Sequence, residues 1–322
     1  MSKEELYREE YPGGKLLSTL PGIKEGTAIT MKKFKEIYAA CKPDECTGIE
    51  AFYLQMEALY SAKQFDINEI TLEVKLGAGS FGSVYTATLG GHRIASKKIE
   101  GVDKQKIVPA QEIYVSQLMS GTENFPLFYG FSLTETPGID LWLHIEFIDG
   151  KCLYDILREC NMLSLEHLRF LSYTLVRCLI AMRKKKLVYL DIKPENIMIT
   201  REGQIKMIDF SLSKICHTSM NNVNGSPEYM APEIFNQNFF YKYTPDIFSL
   251  GITLAILYSG YLDHDLKDFL QQLTRPNPKR RLGYKSYERI LAHSFYKNFS
   301  FEEYGNGIRE SPFKFKKRNC SI

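Results

Sequence analysis

The sequence predicts an α+β fold in which strands come first and helices follow, and three stretches carry that reading. Residues 70–76 alternate with the period of a strand: Ile70, Leu72, Val74 and Leu76 fall on one face, Thr71, Glu73 and Lys75 on the other. From Ser164 to Met182, the positions Leu168, Leu171, Leu175, Leu179 and Met182 keep a helical stripe. Residues 247–258 are the longest nearly apolar run; they are too few to span a bilayer and include Ser249 and Thr253, so they read as a buried helix.

A chain of 322 residues suffices for one large or two smaller domains. A formal charge of +3 is too small to argue for nucleic acid or a membrane surface as partner. The 7 cysteines lie without metal-ligand spacing, and Cys41 and Cys46 are the only close pair, so they read as free thiols of a reducing compartment. Met1-Ser2-Lys3 opens no apolar signal region, Ser2 stands where myristoylation needs glycine, and Cys320 misses the prenylation register. The expectation is a soluble, cytoplasmic protein with no stable membrane insertion.

Residues 1 to about 25 read as loops, followed by two short amphipathic helices. Thr30 caps the first, with Phe34, Ile37, Tyr38 and Cys41 on one face; the box Thr47-Gly-Ile-Glu50 opens the second, with Phe52, Met56, Leu59 and Tyr60. This extension, 1–69, is expected to be partly helical and either to dock on the next domain or to bind a regulatory partner. Gly77, Gly79 and Gly82 then form Gly-x-Gly-x-x-Gly, a pattern shared with dinucleotide-binding folds. In those folds the glycine turn opens a helix, whereas Ser83 to Thr88 is rich in β-formers and soon meets the Gly90-Gly91 turn, so a glycine-rich hairpin is predicted. Asp191 is followed by Lys193, by Asn196 and later by Asp209-Phe210. Phosphoryl transfer uses such a set: one carboxylate beside the attacking hydroxyl, an amide and a second carboxylate on magnesium, and a cation for the moving phosphate. An isolated Asp-x-Lys could equally be a polar surface loop, and the remaining motifs decide between the two.

The run Tyr189-Leu-Asp-Ile-Lys-Pro-Glu-Asn196 closely resembles the catalytic loop of protein kinases, and its Lys-Pro-Glu-Asn ending is similar to the serine/threonine branch. The resemblance covers about residues 70–300, with every motif in the expected order. It implies the bilobal kinase fold, with a small β-rich lobe carrying one helix (70–147), a larger helical lobe (148–300), and a basic tail over 301–322. It implies ATP and Mg2+ as cofactors and serine or threonine of a protein as substrate. Carried over residue by residue, Asp191, Lys193, Lys97 and its partner Glu112 are the catalytic set, and Asn196 and Asp209 hold the metal. Leu76, Gly77, Gly79, Gly82, Val84, Ala95, Lys97, Glu146, Ile148 and Met198 bind the nucleotide, with Ile145 as gatekeeper. Lys98 competes for the role of Lys97 but points to the opposite face. Gly225 to Glu233 resembles the peptide-supporting Ala-Pro-Glu platform, with Ser226 as the hydroxyl that bonds Asp191 and Lys193. Arg281 pairs with Glu233, and Asp246 anchors the catalytic-loop backbone.

Within the superfamily, Tyr189, Arg281-Leu-Gly283, His293-Ser-Phe295 and Pro312-Phe313 look like the AGC group. Several positions depart from the pattern. Ser211 replaces a glycine, Leu190 replaces the arginine before the catalytic Asp, and Ser116 replaces an apolar residue. The span from Gly260 to Arg281 is short enough to predict a truncated or flat surface over 261–267. Asn222 falls where AGC kinases carry a phosphorylated threonine, so activity independent of activation-loop phosphorylation is expected, with Thr218 and Ser219 the nearby hydroxyls. Glu195 matches one acidic substrate-reading residue, while Lys151 and Ile256 replace others, so selection for arginine should be weak. An inactive pseudokinase scaffold is the rival reading, and a module acting through residues 1–70 alone is a third. The cations Lys314 to Arg318 read as a solvated tail, with nuclear targeting or acidic lipid as alternatives.

Overall fold

The computed structural model describes residues 54–314 apart from 56, 60, 80–81, 102–107, 137, 161–162, 217–224, 236–241, 259, 261 and 306–307. The helix expected after Thr30, the box at Thr47, the loop positions Thr218, Ser219 and Asn222, and the cations beyond Lys314 lie outside them. The chain divides into two compact units. One takes the described residues up to Ser120 together with Leu127–Phe147; the other takes Gly121–Pro126 and everything from Ile148.

The first unit is an antiparallel sheet in the order β1-β2-β3-β5-β4, from β1 (Ile70–Gly79), β2 (Gly82–Leu89), β3 (His92–Ile99), β4 (Phe128–Thr136) and β5 (Gly138–Glu146). Helix α1 (Val108–Met119) has proline in its first turn, where the missing N–H costs nothing. Its Ala110 and Ile113 pack with Phe131, Leu141 and Leu143. The helix expected to carry Leu59 is present at the described residues 54–55, 57–59 and 61, and Leu59, followed by Ala62, enters the same core. The alternation read at 70–76 does not become a covered face. Strand β1 lies at the sheet edge, its register shifts after Leu72 and again after Lys75, and of its apolar residues only Ile70 is buried.

His144, on β5, is fully buried, with Nδ1 at 2.9 Å from Ser96 Oγ and Nε2 at 2.8 Å from Ser132 Oγ. Burial pushes its pKa down to about 4, because two hydroxyls cannot replace the hydration of an imidazolium. The fold therefore favours the neutral ring. Its contribution is complete above the ordinary value of 6.5 and is lost as pH falls toward 4.

The second unit is mainly helical, with α2 (Leu153–Cys160), α3 (Leu165–Lys184), α4 (Thr244–Leu257), α5 (His264–Leu273), α6 (Glu288–Leu291) and α7 (Phe301–Gly305). Ser164 caps α3, accepting from His167 N–H at 3.3 Å, and Leu168, Leu171, Leu175, Leu179 and Met182 form the buried stripe expected. Helix α4 begins three residues before the apolar run, because Pro245 suits a first turn that is polar by composition. Strands β6 (Gly150–Cys152), β8 (Ile197–Thr200) and β9 (Ile205–Met207) form one small sheet, and β7 (Leu187–Val188) pairs with β10 (Lys214–Ile215).

The short span before Arg281 contains α5. Asp263 caps α5 at 2.7 Å from Leu266 N–H, and Leu266, Phe269, Leu270 and Leu273 bury its inner face. Residues 301–314, read as the start of a tail, pack back on this unit. Phe301 stacks on Tyr173 at 4.5 Å, Phe313 is fully buried against His167 at 4.8 Å, and Ser311 Oγ donates to Gly203 O at 2.7 Å. Among the described residues no helix is long and apolar enough to cross a membrane.

Denaturant titrations should find that the wild type loses about 2 kcal/mol more than His144→Gln between about pH 7 and pH 5. Equal losses in the two proteins would show that folding does not lower the His144 pKa.

Candidate active site

In the first unit, β1 and β2 form the predicted glycine-rich hairpin, pairing Gly77 with Val84 and Gly79 with Gly82. The three glycines have different reasons to be glycine. At Gly82, φ is +127° and an added Cβ would lie 2.0 Å from Lys98 O, so sheet packing demands it. At Gly77 and Gly79 a Cβ would meet nothing within 4 Å, so no neighbouring protein atom explains them. Leu76 is exposed, Val84 is half-buried and Ala95 is buried.

Lys97 pairs with Leu143 and Val84 across the sheet, and its Nζ donates to Glu112 Oε1 of α1 at 2.7 Å with both side chains buried. Lys98 points the other way and is partnered by Asp140 at 3.0 Å and Glu100 at 3.2 Å, the Asp140 hydrogen bond holding its ammonium above the ordinary range. Glu146 ends β5, with its N–H bonded to Leu127 O at 2.9 Å and its Oε2 accepting from Leu127 N–H at 3.0 Å. Ile148 belongs to the other unit.

The second unit brings the catalytic-loop residues together around Asp191. Lys193 Nζ lies 2.8 Å from Asp191 Oδ2, and Asn196 Nδ2 donates to the same oxygen at 2.6 Å and to Asp191 O at 3.0 Å. Lys193 also donates to Ser226 Oγ at 3.0 Å, the hydroxyl expected there. With its NH2 so used, Asn196 turns its Oδ1 away from Asp191. Ile208 N–H donates to Asn196 O at 3.0 Å, which ties the strand leading to Asp209 to the loop. Asp209 itself takes a left-handed φ of 62° and accepts from Ser211 N–H at 3.1 Å. The Phe210 ring is buried against Phe125 and Tyr189. Met198 is half-buried on β8, paired with Lys206 and Cys152.

The loop hangs from α4. Asp246 accepts from Tyr189 N–H at 2.9 Å and Leu190 N–H at 2.7 Å, and burial pushes its pKa up to about 6 against the pull of those two bonds. Two turns further on, Thr253 Oγ1 donates to Ile192 O at 3.0 Å. No motif marks Thr253 as a loop anchor; its only sequence signal is the i+7 relation to Asp246 on one helical face. The hydroxyl of Tyr189 donates to Ile208 O, a second bond that no motif announced. Arg281 makes a buried two-pronged pair with Glu233, at 2.6 and 2.8 Å, and donates to Thr244 O at 2.7 Å. Ser211 Oγ is buried and has no hydrogen-bond partner among the described residues.

Comparison with known protein families matches residues 70–265 to the protein kinase domain. This chain belongs to the protein kinase family. Its curated relatives place it in the serine/threonine branch with AGC-like character. It is 26% identical over 79% of its length to protein kinase 3 of Dictyostelium discoideum. It is 28% identical over 62% to the cAMP-dependent protein kinase catalytic subunit of Schizosaccharomyces pombe, and 26% over 79% to the serine/threonine-protein kinase SCH9 of Saccharomyces cerevisiae. The chain spans 32%, 39% and 34% of those three proteins.

Protein kinases use ATP and, in general, magnesium, and the residues of this kinase fit both. The open space over Gly77 and Gly79 suits close approach of phosphate oxygens to backbone N–H groups. Asn196 Oδ1 and the Asp209 carboxylate are the hard oxygen donors that Mg2+ accepts when phosphates and water complete its shell.

The kinase's Arg281–Glu233 pair makes a structural prediction. Arg281→Met leaves the Glu233 carboxylate buried without its partner, and denaturant unfolding should show a loss of roughly 3–5 kcal/mol. Arg281→Lys should recover only part of it, since one ammonium cannot replace the two-pronged fork.

Proposed function

We propose that this kinase transfers the γ-phosphoryl group of ATP, with Mg2+, to serine or threonine hydroxyls of proteins, without needing phosphorylation of its activation segment. The observation that carries the reading is the buried Asp191 carboxylate gripped by Lys193 and Asn196, with Lys193 also bonded to Ser226. Asp191 orients the substrate hydroxyl and accepts its proton. Lys193 and Lys97 offset phosphate charge, Glu112 holds Lys97 in place, and Asn196 and Asp209 hold the metal. Bound ATP supplies the phosphoryl group, while the Gly77–Gly82 hairpin, Val84, Ala95, Met198 and the backbone at Glu146 and Ile148 position it.

Independence from activation-segment phosphorylation is supported by Leu190. It carries no donor for a phosphate, and its side chain packs against the clusters Val188–Cys216 and Met230–Ala231–Ile234. Apolar packing there does by burial what an arginine–phosphate pair does by charge. Control then falls to residues 1–70, to partner binding or to abundance. Substrate choice rests weakly on charge, because Glu195 is exposed while Lys151 is bonded to Glu159 at 2.6 Å.

Asp191→Asn should lower turnover roughly 10²- to 10⁴-fold in a labelled-ATP assay while leaving the unfolding temperature near wild type. An inactive scaffold, the rival reading, would show no turnover in either protein. Phosphatase treatment, or Thr218→Ala with Ser219→Ala, should leave turnover within about twofold. A large loss with the fold intact would overturn the independence.

A further inference from the structure

The basic run Arg183 to Lys186 has no part in the proposed catalysis, yet its first two members line a recess of about 390 Å³ with Lys285, Ser286, Tyr287 and Glu288, floored by Ile180. None of the residues assigned to catalysis lines it. Arg183 is fixed in the last turn of α3. Its guanidinium lies over the rings of Tyr243 and Tyr287, at 4.8 and 5.1 Å, and its Nη2 donates to Lys285 O at 3.0 Å. Its Nη1 is buried and has no hydrogen-bond acceptor among the described residues. A charged donor without an acceptor is costly unless something else supplies one.

Charge around the recess is unbalanced. Among the described residues that line it, Arg183, Lys184 and Lys285 share one carboxylate, Glu288, whose Oε2 accepts from the Ser286 hydroxyl. That hydroxyl, with Arg183 and Lys184 adding to it, holds Glu288 below its ordinary range, so it stays ionised and offsets one cation of the three. Two positive charges are left over, beside one guanidinium N–H without an acceptor.

We infer that this recess binds a phosphate monoester dianion, carried on a phosphorylated serine or threonine of a peptide segment. A phosphorylated side chain brings a charge of about −1.5 to −2 and three strong acceptor oxygens. Those match the surplus charge of the recess. The recess falls within the roughly 300–1,000 Å³ of small-ligand sites. It therefore has room for a carrier chain beside the phosphate, with exposed Lys184 and Lys285 at its mouth.

The test uses the full chain and a short fluorescent peptide with one phosphoserine among neutral residues, read by anisotropy beside its serine twin. The phosphopeptide should bind at least tenfold tighter, the equivalent of one charge-assisted contact of about 1.4 kcal/mol. Lys184→Gln with Lys285→Gln should remove most of that margin at an unchanged unfolding temperature, because Lys285 accepts from Arg183 only through its backbone. Arg183→Met should remove it entirely; if that variant fails to fold, the double lysine variant still decides. A non-hydrolysable ATP analogue should not displace the peptide. Displacement would put the phosphate in the active site and overturn the proposal, as would equal binding of the two peptides or undiminished binding by the double variant. Inorganic phosphate should compete only at much higher concentration than the phosphopeptide; competition at equal concentration would make free phosphate the ligand and overturn the peptide assignment.

Discussion

One buried carboxylate holds the catalytic loop in shape. Asp246 accepts from two consecutive backbone N–H groups, those of Tyr189 and Leu190, and Leu190 sits at φ = 69°, a left-handed conformation that costs a side-chain-bearing residue roughly 1–2 kcal/mol. Charge-assisted hydrogen bonds from both groups offset that cost and turn the chain so that Asp191 leaves the loop toward Lys193 and Asn196. Burying Asp246 is itself unfavourable, as its raised pKa records, and the two N–H groups make it tolerable.

Around this anchor the loop is held by many modest bonds. Thr253 takes Ile192 O, Ser213 takes Tyr189 O at 3.2 Å, and the Tyr189 hydroxyl reaches Ile208 O. Each contributes on the order of 1 kcal/mol, but together they fix the rotamers of groups whose chemistry depends on placement. In the first unit the same work falls to one ion pair, Lys97–Glu112, buried between β3 and α1.

Leu190 shows how one substitution alters what a site requires. Where an arginine would need an anion to balance it, leucine needs only apolar neighbours, and it joins two clusters that reach Cys216 and Ile234. The cationic surplus lies instead at the end of α3, where the Arg183 guanidinium lies over two tyrosine rings and one of its nitrogens has no acceptor among the described residues.

The motifs that carry chemistry were legible in the sequence because their residues are close along the chain and constrained by type. Asp191, Lys193 and Asn196 lie within one turn-like loop, Gly77 to Gly82 in one hairpin, and the stripe of α3 in one helix, so local geometry brings them together. The Arg281–Glu233 pair, 48 residues apart, could be read only through family resemblance. Tertiary structure decided the rest. Strand β1 alternates as a half-buried strand should, yet its edge position and shifted register leave Leu72, Val74 and Leu76 uncovered. Phe313 stands among cations that read as a solvated tail, yet it is buried against His167, more than a hundred residues earlier. Local pattern fixes which face of an element is apolar; whether anything covers that face depends on contacts between distant residues, which no local pattern encodes.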